Sequence, residues 1–384
     1  MGPILFGAVA SAGSPALPPV NTALPVISQT GSVLSVTTGT WTGTAPITYA
    51  YQFTRNGTPV GAPSASQNYT IPDGDLNALF GCIVTATNSG GNASAAAALL
   101  YVGVMDVLSV APAANFELRR ESRSYTGNAI RVRRSSDNAE ANIGFTAIGE
   151  LDAEALLNFV GSGNGFITIL YDKSGNGRNA TQTTPDNQPQ IVSNGAIITQ
   201  GGRPALRFDG VNDYLAAASP LIGTTHSLFI LFTPTIENEF GTVFGQWSSG
   251  QNGRFYVIAN QVSAGPISAG RLNVANPTAL GGNGTNGLAA DVAISNTLTL
   301  ITSISTTGSE QWKLFKNGAE WDSATITTVF TGVNSAIGSL NGLGSSLPFD
   351  GTFSGLTSFP SVLSTAERQL IERNRGAYYG IPIA

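Results

Sequence analysis

Residues Tyr171–Gln182 read YDKSGNGRNATQ, and FDGVNDYL follows at Phe208–Leu215. An apolar run, Phe166–Leu170, feeds the first stretch, and between the two lie short runs cut by Asn, Gly and Pro. That is the pattern of strands joined by tight turns. The glycines and asparagines of YDKSGNGRNATQ suit positive-φ backbone, so the stretch reads as a shaped loop that starts at Tyr171. Asp172, Ser174 and Asn176 are side chains that bond to local backbone and stiffen such a loop, and Asp209 and Asp213 mark a second turn in the same way.

Working outward, about a dozen short apolar runs follow Phe166, among them Ser227–Thr233, Leu298–Ser305, Trp312–Lys316 and Gly351–Phe359. Their one-sided alternation predicts two packed antiparallel sheets. Asn56-Gly57 and Asn317-Gly318 are hairpin-turn signals. Two helices are predicted. Leu151–Val160 has Leu151, Ala155, Leu156 and Phe159 on one stripe, and Ser364–Tyr379 opens on a Ser364/Glu367 capping box and turns Leu370 and Ile371 inward.

Composition narrows the chemistry. Of 384 residues only 11% are charged, and the net charge of −5 comes with no Lys/Arg cluster of the kind that binds nucleic acid or anionic membrane. No apolar run approaches the roughly 18 residues that span a bilayer. The single cysteine, Cys82, rules out an intramolecular disulfide and a cysteine-based zinc site, and the single histidine, His226, reads as the start of a strand. No cofactor and no metal site are expected. Asp209, Asn212 and Asp213 form the one compact set of oxygen ligands for calcium, and an ordinary turn accounts for them.

The N-terminal part carries GTWTGTAPITYAYQFTRNGTPVG and GCIVTATNSGGNASA. These stretches resemble the immunoglobulin-like modules of tailed-phage structural proteins and bacterial surface proteins. The resemblance puts Cys82 at the late-strand cysteine position without a partner, packed as a small hydrophobe. The later motifs, SYTGNAIRVRRSSDNAEANIGF, YDKSGNGRNATQ, RPALRFDGVNDYL, WKLFKNG and LSTAERQLIERNRGAYYGI, resemble concanavalin A-like (laminin-G-like) jelly rolls. SYTG, VRR and YDKSGNG also resemble the catalytic domain of arabinofuranosidase B. The expected fold class is therefore all-β: an extended arm and Pro-rich spacer over 1–19, an immunoglobulin-like sandwich over 20–102, a linker over 103–115, and a jelly roll with two short helices over 116–384.

For a glycosidase two carboxylates must flank the bond. The arabinofuranosidase resemblance implies a Glu on an inner strand, but the comparable stretch, Gly253–Asn260 (GRFYVIAN), has no carboxylate, and no Asp or Glu occurs from Phe240 to Ala290. Lys173 also replaces the Gln of the family's YDQSG. On that ground the sequence reads as non-enzymatic, with no catalytic residue, and a hidden pair such as Asp172 with Asp209 is left as the hydrolytic option. Aromatic and amide side chains suit a glycan rim: Trp247, Tyr256, Trp312 and Trp321 with Asn252, Asn283 and Asn286. Arg131 and Arg133 share the face opposite Ile130 and Val132, with Asp137 or Asp172 as an internal partner.

These readings combine into one expectation: a structural protein on the outer surface of a tailed-phage virion, a capsid decoration protein or head fibre displaying a lectin-like domain. Ile4, Leu5 and Phe6 in the apolar arm would anchor it to capsid or other virion proteins, and a homotrimer is expected. The alternatives are a tail-attached protein that binds host glycan, a surface adhesin, and an arabinofuranosidase-like glycoside hydrolase.

Overall fold

A computed structural model describes residues 14–217, 219–235, 241–247, 255–259, 272–275, 287–290, 297–306, 311–325, 334–340 and 347–384. The arm residues Ile4, Leu5 and Phe6 lie outside them. The chain is all-β with two short helices, and it divides into two compact units. One runs to Ile71 and resumes over Leu79–Tyr101; the other takes Pro72–Ala78 and Val102–Ala384.

In the first unit Thr48–Arg55 pairs antiparallel with Ala78–Asn88, which pairs in turn with Gly91–Ala96. Ile27–Thr30, Val33–Val36 and Asn68–Thr70 make a second small sheet. Alternation sends Leu34, Val36, Tyr51, Phe53, Phe80 and Val84 inward, all nearly or fully buried. Cys82 is opposite Phe53 in the register, reduced and buried, and burial pushes its thiol up to about 11, so it behaves as an apolar side chain. The turn between Thr48–Arg55 and Thr58–Pro59 has Asn56 and Gly57 both at positive φ, the geometry a two-residue hairpin requires.

The second unit is a two-sheet jelly roll. In one sheet His226–Pro234 lies between Thr299–Ser305 and Asp350–Phe359, and Asp350–Phe359 pairs on its far side with Leu206–Asp209. In the other, Asn334–Ile337 lies between Leu215–Ala217 and Gly241–Trp247. Gly165–Leu170 pairs with Ala180–Thr181 of one sheet and Gln190–Ser193 of the other and so joins them. Leu228, Ile230, Phe232, Phe244, Trp312, Phe353 and Leu356 belong to the core between the sheets.

His226–Pro234 is buried along its whole length. One row of side chains faces the sandwich core. The other row, which includes Phe229, lies under helix α2, Thr365–Tyr379. The capping box forms as the sequence predicts: Ser364 Oγ accepts from Glu367 N at 3.3 Å, and Glu367 Oε2 accepts from Ser364 N at 3.2 Å. The inner face of α2 differs from expectation. Ile371 is buried, but Leu370 is only half-buried, and Arg368, Glu372, Asn374 and Arg375 are buried beside it. Helix α1, Ala153–Val160, is N-capped by Asp152 and buries Leu156 and Val160, while Ala155 is exposed. Leu157 and Phe159 are partly buried against the same core, and Leu151 is buried ahead of the helix.

Candidate functional site

The YDKSGNG loop is held as tightly as its residue types suggest. Asp172 Oδ1 accepts from Asn115 N and Ser174 N, each at 2.9 Å, and Oδ2 accepts from Ser174 Oγ at 2.8 Å and Arg178 N at 3.0 Å. Asn176 Nδ2 donates to Ala113 O at 3.0 Å, and Tyr171 OH donates to Asn142 Oδ1 at 2.8 Å. Gly175 and Gly177 take the positive-φ positions, whereas Asn176 and Asn179 contribute through their side chains. Both Asp172 oxygens thus serve donors of the loop itself and of Asn115.

Lys173 is buried beneath this loop, and its Nζ donates to Ala129 O at 3.1 Å and Tyr171 O at 2.8 Å. Around it lies a sealed ionic network. Arg375 Nη2 is 3.1 Å from Glu117 Oε1 and 3.0 Å from Glu121 Oε2, and Arg119 Nη2 is 3.4 Å from Glu121 Oε1; all four side chains are essentially inaccessible. Burial pushes Glu117 up to about 7 against the pull of Arg375, and pushes Lys173 down to about 7. Burial acts on Glu121 in the same upward sense, but the Arg375 and Arg119 guanidiniums outweigh it and hold its carboxyl low. These acids are closed to solvent and are tied to α2 through Arg375.

The acidic turn after Leu206–Asp209 is different. Asp209 Oδ1 accepts from Val211 N at 2.8 Å, Asn212 N at 3.2 Å and Asp213 N at 3.4 Å, and Asp213 Oδ2 accepts from Asp209 N at 3.0 Å. The two carboxyls of this turn are therefore neighbours. Asp209 is exposed, while Asp213 is 6% exposed; burial, and then the charge of Asp209, push the Asp213 carboxyl up to about 7. The β-register sets Asp350 opposite Asp209, and Arg207 Nη2 lies 2.5 Å from Asp350 Oδ1. Asp209, Asp213, Asp350 and Arg207 thus collect at one sheet end. Asp350 reads in the sequence only as one more acid at a turn and Arg207 is not singled out; the signal that groups them is the strand pairing, which adjacency along the chain does not reveal. Among the described residues no group of three or more His, Cys, Asp or Glu side chains is placed to hold a metal ion.

Of the expected glycan-rim residues, only Trp312 and Trp321 have described side chains. Trp312 is completely buried in the core with Nε1 donating to Ser303 Oγ at 2.7 Å, so it offers no face to a sugar. Trp321 is half-buried against the core, with Lys316 Nζ 5.8 Å from its ring centre. Trp247 and Tyr256 are on Gly241–Trp247 and Phe255–Ala259, with their side chains outside the description, and Asn252, Asn283 and Asn286 lie outside the described residues. The interleaved arginines and acids form local ion pairs, but Arg131 and Arg133 take partners other than Asp137 or Asp172. Arg131 pairs with Glu140 at 2.7 Å and Arg134 with Asp137 at 2.7 Å, while Arg133 donates to Gln188 Oε1 and Asn138 Oδ1. Asp137 is too close to Arg134, and Asp172 too fully used, to serve Arg131 or Arg133. His226 is buried at the head of its strand, its ring nitrogens against Gly223 O and Ser303 Oγ, and burial holds it neutral by lowering it to about 4.

Residues 109–222 match the family model of the α-L-arabinofuranosidase B catalytic domain. The fold is similar to solved arabinofuranosidases. A GH54 α-L-arabinofuranosidase soaked with a cyclic sulfate inhibitor aligns with TM-score 0.55 at 18% identity, over 71% of this chain and 64% of that one. A mutant of GH54 α-L-arabinofuranosidase soaked with 4-nitrophenyl α-L-arabinofuranoside gives 0.55 at 19% identity, over 72% and 65%. An arabinofuranosidase complexed with arabinofuranosyl-α-1,2-xylobiose gives 0.54 at 18%, over 71% and 64%. The chain spans a little under two thirds of the length of these enzymes. No curated protein matches it in sequence.

These findings overturn the expectation of a non-enzymatic phage-particle protein, whether decoration protein or head fibre. The matched model is a catalytic domain, and the hydrolase alternative is the better supported. The lack of a carboxylate in Gly253–Asn260 excludes one placement of a catalytic acid, not hydrolysis itself.

Proposed function

We propose that this protein is an arabinofuranosidase-like glycoside hydrolase whose acid chemistry resides at Asp209 and Asp213. The supporting observation is the turn in which a buried carboxyl and an exposed one are locked together by each other's backbone N–H groups. Glycoside hydrolysis needs one carboxyl that still holds its proton near neutrality and one that is ionised. Asp213, pushed up to about 7, is the proton donor to the leaving oxygen. Asp209 is the exposed partner that takes the developing positive charge or the proton of an attacking water. Arg207 holds Asp350 in an ion pair behind the turn and keeps that third acid out of the proton exchange. The match over residues 109–222 contains both Asp209 and Asp213.

The test is release of 4-nitrophenol from 4-nitrophenyl α-L-arabinofuranoside, and of arabinose from arabinofuranosylated xylan. Asp213→Asn and Asp209→Asn should each cost roughly 100-fold or more in turnover. Wild-type protein without turnover on either substrate refutes the hydrolase reading. Turnover that survives both substitutions moves the chemistry to other carboxyls.

A further inference from the structure

The jelly-roll unit also carries a sheet face built like a saccharide platform. Along Gly165–Leu170 and into Tyr171, the residues Phe166, Ile169 and Tyr171 are half-buried, whereas Ile167, Thr168 and Leu170 are buried. Pairing with Ile130–Arg134 and Glu140–Ile143 sets Asn142, Arg131 and Ile169 side by side across three strands. Helix α1 packs on the opposite side, since Val160 and Val132 both crowd Gly165 from the core. On the outer side planar polar groups are interleaved with the rings. Arg133 lies with its guanidinium carbon 4.9 Å from the Phe166 ring centre, and Asn142 takes the Tyr171 hydroxyl at 2.8 Å. From Phe166 to Tyr171 the strip is about 16 Å long at strand spacing.

Its charge selects the occupant. Arg131 is matched by Glu140 and Arg134 by Asp137, and Arg133 is directed to amide oxygens. A near-neutral strip gives little to a polyanion or an anionic bilayer. Rings that stack on the apolar faces of sugars, flanked by planar donors for vicinal hydroxyls, suit an uncharged polysaccharide.

We infer that the Phe166–Ile169–Tyr171 strip, with Asn142, Arg131 and Arg133, is a binding platform for the backbone of an arabinose-bearing polysaccharide, separate from the acidic turn. The choice of polysaccharide rests on the hydrolase reading; the platform does not. The probe is arabinofuranosylated xylan in affinity electrophoresis of the full chain, with melting temperatures recorded alongside. Phe166→Ala and Tyr171→Ala should each weaken retention about tenfold, Asn142→Ala at its exposed position should weaken it less, and Tyr171→Phe should leave it near wild type. Turnover of 4-nitrophenyl α-L-arabinofuranoside, which carries no polysaccharide backbone, should be unchanged. Wild-type protein that is not retained, or folded variants retained as well as wild type, overturns the inference. Should either alanine variant fail to fold, Asn142→Ala decides: unaltered retention counts against the platform. Retention without turnover in wild type sinks the hydrolase reading and leaves the platform standing.

Discussion

Two groups of acids in one jelly roll have opposite fates. Glu117 and Glu121 are sealed under α2 with Arg375 and Arg119, whereas Asp209 and Asp213 sit on a turn with one carboxyl exposed. Both groups contain an acid pushed up to about 7, and in both burial is the first cause. A raised carboxyl is therefore no mark of catalysis by itself; the difference is that Asp213 has an exposed acidic neighbour, Asp209. The sealed group ties α2 to the sheet, whereas the turn keeps one carboxyl open to solvent.

The largest break in this comparison should come from Arg375. Arg375→Met leaves Glu117 and Glu121 buried without their main counter-charge, which should cost about 3–5 kcal/mol in urea unfolding. A loss under 1 kcal/mol would mean that the network contributes nothing to holding α2. Gly355 sharpens the point, because a Cβ there would lie 2.2 Å from Glu117 Oε1. The close approach of strand to carboxylate requires glycine.

Next comes pH. Glu117 is raised from 4.5 to about 7, so its contribution to stability is complete below 4.5 and is lost as pH rises through about 7. Lys173 is lowered from 10.5 to about 7, so its contribution is complete above 10.5 and is lost as pH falls through about 7. Together they place a minimum near neutrality in their share of the stability curve. Glu117→Gln should flatten the acid limb and Lys173→Met the alkaline limb. Thermal melts from pH 5 to 10 that show neither change would contradict this.

The smallest effect should be at the turn. Asp209→Ala removes an acceptor for three backbone N–H groups at an exposed site, which should cost about 1 kcal/mol of stability while removing turnover. A loss as large as that of Arg375→Met would erase the distinction between the two groups.

Local rules carried much of the fold into the sequence. The positive-φ turn at Asn317-Gly318, the Ser364/Glu367 box and the Asp172 loop depend on residues close in the chain, and all form. What the sequence hid was non-local. Arg375 meets Glu121 from 254 positions away, a partner that spacing along the helix does not reveal. Trp312 looked like a sugar platform because an aromatic residue carries no sign of which sheet face it will join. Asp350 became part of the candidate site only through its register opposite Asp209.

The doubly buried strand His226–Pro234 has a consequence for biogenesis. A ribosome delivers it well before Thr365–Tyr379, so its outer row of Phe and Leu waits without a cover while later strands are made. During that interval the nascent chain exposes a greasy ribbon of the kind that chaperones hold and that aggregates nucleate upon. Docking of α2 is then a quality-control step as much as a packing event. A chain stalled before Thr365 should be recovered bound to chaperone rather than free.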